Sequence, residues 1–588
     1  MAQPETHPTS AGLDRRAFVA RLAGLGAAAT VFPQVLLAAV QEKGTLTREV
    51  VLQAEKVAGL TLTDAQRDQL LEGLNGLAGD CAKLRALDMP NDVAPALRFG
   101  PLAIPGPAQA ARPPVSPPAA PDPPLPDSDE ALAFLPLPDL HRLLVKRAVT
   151  SERLVRLSLH QLRTADPVLH CVVALTEERA LAQARQADEE LDRGRVRGPL
   201  HGIPWGAKDL FAVRGYPTTW GAAPYKDQRF DEDAEVVRRL DEAGAVLVAK
   251  LSLGALAMGD LWFGGRTRNP WKPDQGSSGS SAGSASAVAA GCVPFALGTE
   301  TLGSIVSPST RCGATGLRPT FGRVPRTGAM ALSWSMDKVG PIARGVEDCA
   351  LVLAAVQGPD GRDADCAAAP FAWAPGASVR GMKVGIVRKA FDAEPEKEGG
   401  EPGAWTAEWK ANDAAALDVL TRLGVQWVEV ELPDLPVDAM TLLLLCEAAA
   451  AFDGLTRSGR DALLTGQGDD DWPNLFRQAQ LLPAVSYIQA NRARTLLVRE
   501  AAARLAGVEA YVCPTFGASN LSLTNLTGHP QVVLPDGFKS DGTPTSFTFT
   551  GLPFGEARLL DLASAYQRAT GWHRRHPAVA GREEATRG

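Results

Sequence analysis

The chain has 588 residues, 45% hydrophobic and 22% charged, the balance of a globular protein long enough for more than one domain. Its formal net charge of −7 carries no basic excess, which removes electrostatic support for a nucleic-acid partner. The eight cysteines are scattered, with no CxxC pair and no cluster with histidine, a pattern that argues against a zinc site or a dense disulfide framework.

Near the start, Asp14-Arg15-Arg16-Ala17-Phe18-Val19 forms a twin-arginine pattern ahead of an Ala-, Gly- and Leu-rich run from Leu22 to Val40. This order predicts a bacterial Tat export signal over residues 1–43, and so a periplasmic or extracellular protein. Pro33 and Gln34 interrupt the run, which argues against a stable membrane span. Residues 44–100 predict two or three helices, with Thr63 as an N-cap before TLTDAQRDQLLEGL turns amphipathic. The proline-rich segment over residues 101–127 cannot build a core and reads as a semi-rigid spacer.

Residues 128–577 predict one large α/β domain, followed by a tail over 578–588. Glu177–Arg193 reads as a helix closed by Gly194. The apolar runs Ala245–Lys250, Met382–Val387 and Ala510–Pro514 read as buried strands. Helices alternate with them, so the fold class is α/β, a large mixed β-sheet covered by helices on both faces. The stretch from Lys397 to Arg499 is expected to be mostly helix and loop, with apolar helices at Ala439–Ala451 and Ile488–Leu505, forming a side wall over a site.

Three polar positions stand out in this apolar frame. Lys208 follows the strand-like Ile203-Pro204-Trp205; desolvation there would lower its pKa and make a neutral amine available as a general base. Ser280 lies in GSSGSSAGSASAVAAG, Gly276 to Gly291, and Ser304 lies 24 residues further on, after Thr299-Glu300-Thr301-Leu302-Gly303. Successive N–H groups in such a turn converge on one point, and a hydroxyl at its end can attack a carbonyl carbon. The Gly/Ser stretch also has other readings. A flexible linker does not fit, because it runs straight into a packed alanine-rich helix. A phosphate loop lacks its lysine. A nucleophile elbow on Ser281 needs a strand immediately before it, where RNPWKPDQ reads as loop.

The segments PLHGIPWGAKD, RNPWKPDQGSSGSSAGSASAVAAG, GTETLGSIVSPSTRCGATGLRPTFGRVPRTG, SMDKVGPIARGVEDCALVL and NLTGHPQVVLPDGF occur in order. In them the chain resembles the amidase signature family over nearly all of residues 128–576. The resemblance implies Lys208 as base, Ser280 in a cis peptide as proton relay and Ser304 as nucleophile. It implies an oxyanion hole from the backbone N–H groups of Thr301, Leu302, Gly303 and Ser304. The implied reaction is hydrolysis of a small-molecule carboxylic amide through an acyl-enzyme, with no metal or organic cofactor. The same triad would serve an ester or carbamate hydrolase. A tRNA-dependent amidotransferase component and a binding protein on a dead fold are the remaining classes. The export signal argues against the former, and retention of all three catalytic side chains argues against the latter.

Departures from the family pattern bear on substrate. Leu302-Gly303 stands for the usual double glycine, Glu300 is the acidic residue of the turn, and Ser278 and Ala282 replace frequent glycines. Leu302 is expected to reshape the acyl pocket, whose walls are expected from the poorly matching stretches before Arg499 and after Tyr511. Replacing Arg15 and Arg16 together by lysine should hold the precursor in the cytoplasm, measured by fractionation; undiminished export would contradict the signal.

Overall fold

The computed structural model describes residues 45–87, 89, 96–97, 121–397 and 404–578. The twin-arginine segment, most of the proline-rich segment and the tail beyond residue 578 lie outside the described residues.

Eleven strands form one mixed sheet: β1 (Val172–Leu175), β2 (Pro204–Lys208), β3 (Val246–Leu251), β4 (Phe295–Glu300), β5 (Thr315–Arg318), β6 (Lys338–Ala343), β7 (Lys383–Ile386), β8 (Gln426–Glu429), β9 (Ala510–Pro514), β10 (Gln531–Phe538) and β11 (Pro544–Gly551). Their order across the sheet is β1-β3-β2-β4-β6-β5-β10-β11-β9-β7-β8. β2 runs parallel to both β3 and β4. Antiparallel ladders fill the middle, from β4–β6 to β11–β9. Beyond them β9, β7 and β8 are parallel again.

Strand alternation explains how one sheet carries two cores. Leu247, Phe295 and Leu297 point into a large core shared with the helices Leu137–Val145, Glu235–Glu242, Val346–Val356 and Glu556–Thr570. Their neighbours Val246, Val248 and Ala296 point the other way, into a core shared with Ser151–Leu169, Glu177–Asp192 and Ala282–Ala289. The expected two-faced α/β architecture is therefore what forms. The helix Ala282–Ala289 is built of small residues because it must approach closely: a Cβ on Gly283 would come within 2.5 Å of the Ser252 nitrogen and 2.6 Å of the Cys171 carbonyl oxygen.

Several expected boundaries move for identifiable reasons. The apolar helix expected from Ala439 opens as a 3₁₀ turn, Asp438–Thr441, and becomes α-helical over Leu442–Ala451. The helix expected from Ile488 begins at Ala484, directly after Pro483, whose ring fits the position before the first helical turn. Gln426–Glu429 adds an edge strand that no apolar run announces. RNPWKPDQ is not loop: Arg268–Asn269 and Lys272–Gly276 pair as a small antiparallel hairpin outside the main sheet.

Thr63 caps Asp64–Arg85 through a capping box with Gln66. That helix packs Leu77, Cys81 and Leu84 into a core with Met440, Leu443 and Leu497. A Cβ on Gly73 would fall within 2.6 Å of the Gln478 amide group, so bare backbone lets the N-terminal helix dock.

Two buried charges fix β3 beside the end of β2. Lys250 Nζ stands 2.6 Å from Asp209 Oδ1, with neither side chain exposed. Thr219 donates to Asp209 through its backbone N–H and its hydroxyl, and Lys250 donates to Thr218 Oγ1. Removing one partner strands the other charge away from water, so Lys250→Met should cost about 3–5 kcal/mol in urea unfolding. Asp209→Asn combined with Lys250→Met should recover part of that loss.

Candidate active site

Lys208 closes β2, and Thr299 lies near the end of the parallel neighbour β4, so both sit at the carboxyl edge of the parallel strands, where open α/β sheets form their binding crevices. Lys208 Nζ is within 2.8 Å of Ser280 Oγ, 3.0 Å of Ser281 Oγ, 2.9 Å of Thr299 Oγ1 and 3.3 Å of the Thr299 carbonyl oxygen. The side chain is fully buried. Burial pushes the Lys208 pKa well below the ordinary lysine value, and the more distant carboxylates of Asp337 and Glu300 only partly offset this.

The hydroxyls around Lys208 are not equivalent. Ser281 Oγ donates to the Thr299 carbonyl at 3.1 Å and accepts from the Thr299 N–H at 3.1 Å. Its proton is therefore committed to the backbone, and it meets the lysine as an acceptor. A neutral amine donates two hydrogen bonds and accepts one, which leaves room for the Ser280 hydroxyl to donate to it.

The peptide bond Gly279–Ser280 is cis, as the resemblance implies for this serine. Its glycine is required by close approach: a Cβ on Gly279 would lie 1.8 Å from the Gly259 carbonyl oxygen. Asp260 Oδ2 accepts the Ser278 N–H at 3.0 Å and steadies the same loop.

Ser304 lies beside this loop, its carbonyl accepting the Ser281 N–H at 3.1 Å. Gly303 has φ +83°, and a Cβ there would meet Ser307 Oγ at 2.9 Å. The Gly303 carbonyl accepts the Ser307 N–H at 2.7 Å as the chain enters the helix Val306–Cys312. Among the described residues, the N–H groups of Leu302, Gly303 and Ser304 meet no protein acceptor.

Glu300 ties this turn down. One carboxylate oxygen accepts the N–H groups of Ile305 and Val306, each at 2.9 Å. The other accepts from Arg318 at 2.6 Å and from Asn525 at 2.8 Å. Burial pushes this carboxyl's pKa up, but the Arg318 charge and the Val306 N–H outweigh it and hold the pKa at about 2. A second acid joins from just before β6: Asp337 accepts from Thr301 Oγ1 at 2.5 Å and from the N–H groups of Leu332 and Ser333 at 2.8 and 3.0 Å. Sequence reasoning assigns no role to Thr299 or Asp337 and marks Glu300 only as a departure. The SMDKVGPIARG segment is the available signal for Asp337.

A cavity of about 210 Å³ opens beside Thr299 and Thr301 and is walled by Met330, Leu332, Trp334 and Val339. Its walls thus come chiefly from residues 326–339 rather than from the stretches expected before Arg499 and after Tyr511, and Leu302 is not among the residues lining it. A second, more open cavity of about 620 Å³ adjoins at Trp334 and is walled by the helical side of the chain, including Glu447, Ala450 and Tyr487. The expected helical side wall is therefore present there.

The amidase family model matches residues 153–524. Over 494 residues the chain is 35% identical to the A component of the glutamyl-tRNA(Gln) amidotransferase of Chloroflexus aggregans, covering 76% of this chain and 99% of that protein. Among solved structures it is similar to the peptide amidase of Stenotrophomonas maltophilia, with 30% identity, a TM-score of 0.65, and coverage of 76% of this chain and 98% of that one. A bacterial aryl acylamidase of the amidase signature family, 22% identical with a TM-score of 0.64, shares the fold over 75% of this chain and 98% of its own. A family model spanning most of the chain, with relatives matched nearly end to end, establishes that this chain belongs to the amidase family.

Proposed function

We propose that the chain hydrolyses carboxylic amides with Lys208 as base, Ser280 as relay and Ser304 as nucleophile. The observation that carries this reading is the 2.8 Å contact between the fully buried Lys208 amine and Ser280. Neutral Lys208 takes the Ser280 proton as Ser280 takes that of Ser304. The Ser304 oxygen then bonds to the amide carbonyl carbon, and the resulting oxyanion faces the N–H groups of Thr301, Leu302, Gly303 and Ser304. Collapse breaks the C–N bond, the relay returns the proton to the departing amine, and water repeats the sequence on the acyl-enzyme. The same site would accept esters and carbamates, which have better leaving groups.

A second reading follows from the relatives named as amidotransferase components: a protein that acts only within a complex. The twin-arginine pattern favours the free-standing enzyme, exported to the periplasm or beyond, because tRNA charging is confined to the cytoplasm. Turnover of a simple amide by the purified chain alone would support the first reading; amide cleavage only in the presence of added partner proteins would support the second.

A fluorophosphonate should label the mature chain at Ser304, located by peptide mapping, and Ser304→Ala should abolish labelling. The same change should lower kcat by on the order of 10⁴-fold or more while leaving the circular dichroism spectrum unchanged. Full residual activity would place the nucleophile elsewhere.

The pH dependence follows from Lys208. The active form is the neutral amine and burial lowers its pKa, so kcat/KM should rise with pH along an acid limb well below the ordinary lysine range, then level off. An acid limb near that of an exposed lysine would contradict the assignment.

A further inference from the structure

The loop Ser333-Trp334-Ser335 is held from two sides with unusual completeness. On the helical side, the buried carboxylate of Glu447 accepts from Ser333 Oγ at 2.7 Å, from the Ser335 N–H at 3.0 Å and from Ser335 Oγ at 2.7 Å. Tyr487 donates to the same carboxylate at 3.0 Å, and Arg494 donates to Ser335 Oγ and to the Ser335 carbonyl. On the catalytic side, the Ser333 N–H reaches Asp337, whose other oxygen accepts from Thr301 in the turn before Ser304. Arg326 donates to the Trp334 carbonyl at 2.5 Å.

The residue between these clamps is the exception. Trp334 leaves 51% of its surface to solvent, and it lines both the inner and the outer cavity. A backbone fixed this firmly on both sides of a large exposed indole lowers the ordering cost of presenting it when a ligand arrives.

The chemistry of the inner cavity selects the ligand. Its charged groups already have protein partners: Arg326 pairs with Asp363 and Asp365, Asp337 accepts from Thr301 and two N–H groups, and the buried Lys338 donates to the Met336 carbonyl. Beyond these and three threonines, what remains for a ligand is apolar wall from Leu210, Met330, Leu332, Trp334 and Val339. A cavity of about 150 Å³ lined by aliphatic and aromatic side chains takes benzene, and this one measures about 210 Å³.

We infer that Trp334 is a specificity-determining residue that selects uncharged amides carrying an aryl ring, with the ring in the inner cavity against the indole and the remainder in the outer one. The inference rests on the amidase reading above and names the substrate class of that site. A free carboxylate or ammonium on the ring-bearing group would lose its hydration in a mainly apolar cavity whose charged side chains are already held by protein partners.

The test compares butyramide with 4-phenylbutyramide, which carries the ring on the acyl side, and N-benzylbutyramide, which carries it on the amine side. At least one ring-bearing amide should exceed butyramide in kcat/KM by about tenfold or more, mainly through KM, and the arm that does so reports which side of the scissile bond the cavity serves. Trp334→Ala should reduce that preference by about tenfold or more, and Trp334→Phe should keep most of it. Calorimetric titration of both ring-bearing amides into Ser304→Ala, with and without Trp334→Ala, reads the same preference as a Kd ratio without any turnover. Failure of the amidase reading would show as no turnover of any of the three amides by the unmutated chain, while the binding ratio still decides the role of Trp334. Equal Kd values in the two variants, or a preference that survives Trp334→Ala, would overturn the inference.

Discussion

Two buried lysines on adjacent strands show what the site depends on. Lys250 on β3 has the Asp209 carboxylate at 2.6 Å, an ion pair that gives its charge a partner in the interior. Lys208 on β2 has, among the described residues, only hydroxyls and a carbonyl within hydrogen-bond reach. With no contacting carboxylate among them, at equal depth of burial, the ammonium form is disfavoured and the amine is basic at ordinary pH. Asp209 follows Lys208 directly in the chain, yet strand alternation sends its carboxylate to Lys250 and away from the Lys208 amine. Burial lowers the Lys250 pKa as well, but its contact with Asp209 opposes that shift, and among the described residues Lys208 has no such contact to oppose its own.

The rest of the site is arranged around that amine by groups that take no part in bond making. Ser281 uses its proton on the Thr299 backbone, which leaves the hydroxyls of Ser280 and Thr299 as the ones in contact with the amine whose protons are not so committed. Glu300 satisfies the first N–H groups of the following helix from the end of β4. This bends the intervening residues into a turn whose own N–H groups find no protein acceptor among the described residues. Glu300 receives four hydrogen bonds in all, from the N–H groups of Ile305 and Val306, from Arg318 and from Asn525, and so holds the turn in place. Asp337 then links Thr301 of this turn to the loop that walls the inner cavity, so that wall and the turn beside Ser304 share one carboxylate.

Much of this is legible in the residues. Alternating apolar strands and amphipathic helices specify a sheet covered on both faces, because each pattern has only one way to bury its apolar side. Lys208, Ser280 and Ser304 are marked by motif and spacing, since a buried lysine, a glycine-flanked serine and a glycine turn are local requirements written in contiguous residues. The capping box at Thr63 and Gln66 is local in the same way, and it forms as its spacing requires.

What only the tertiary structure decided is everything that joins distant segments. Glu447 and Ser335 are 112 residues apart, and Glu300 and Asn525 are 225 apart, so no period or motif could pair them. The inner cavity is walled by a loop that returns over the end of β4, which is why its lining cannot be read from poorly matching stretches elsewhere. The segment RNPWKPDQ looks like loop in sequence because its pairing into a hairpin depends on cross-strand contacts rather than on an apolar run. Local chemistry thus marked which residues are candidates to react, while long-range packing determined the hydrogen-bond partners of each hydroxyl and the shape of the cavity beside them. Hydrogen-bond competition and cavity walls exist only once remote segments meet.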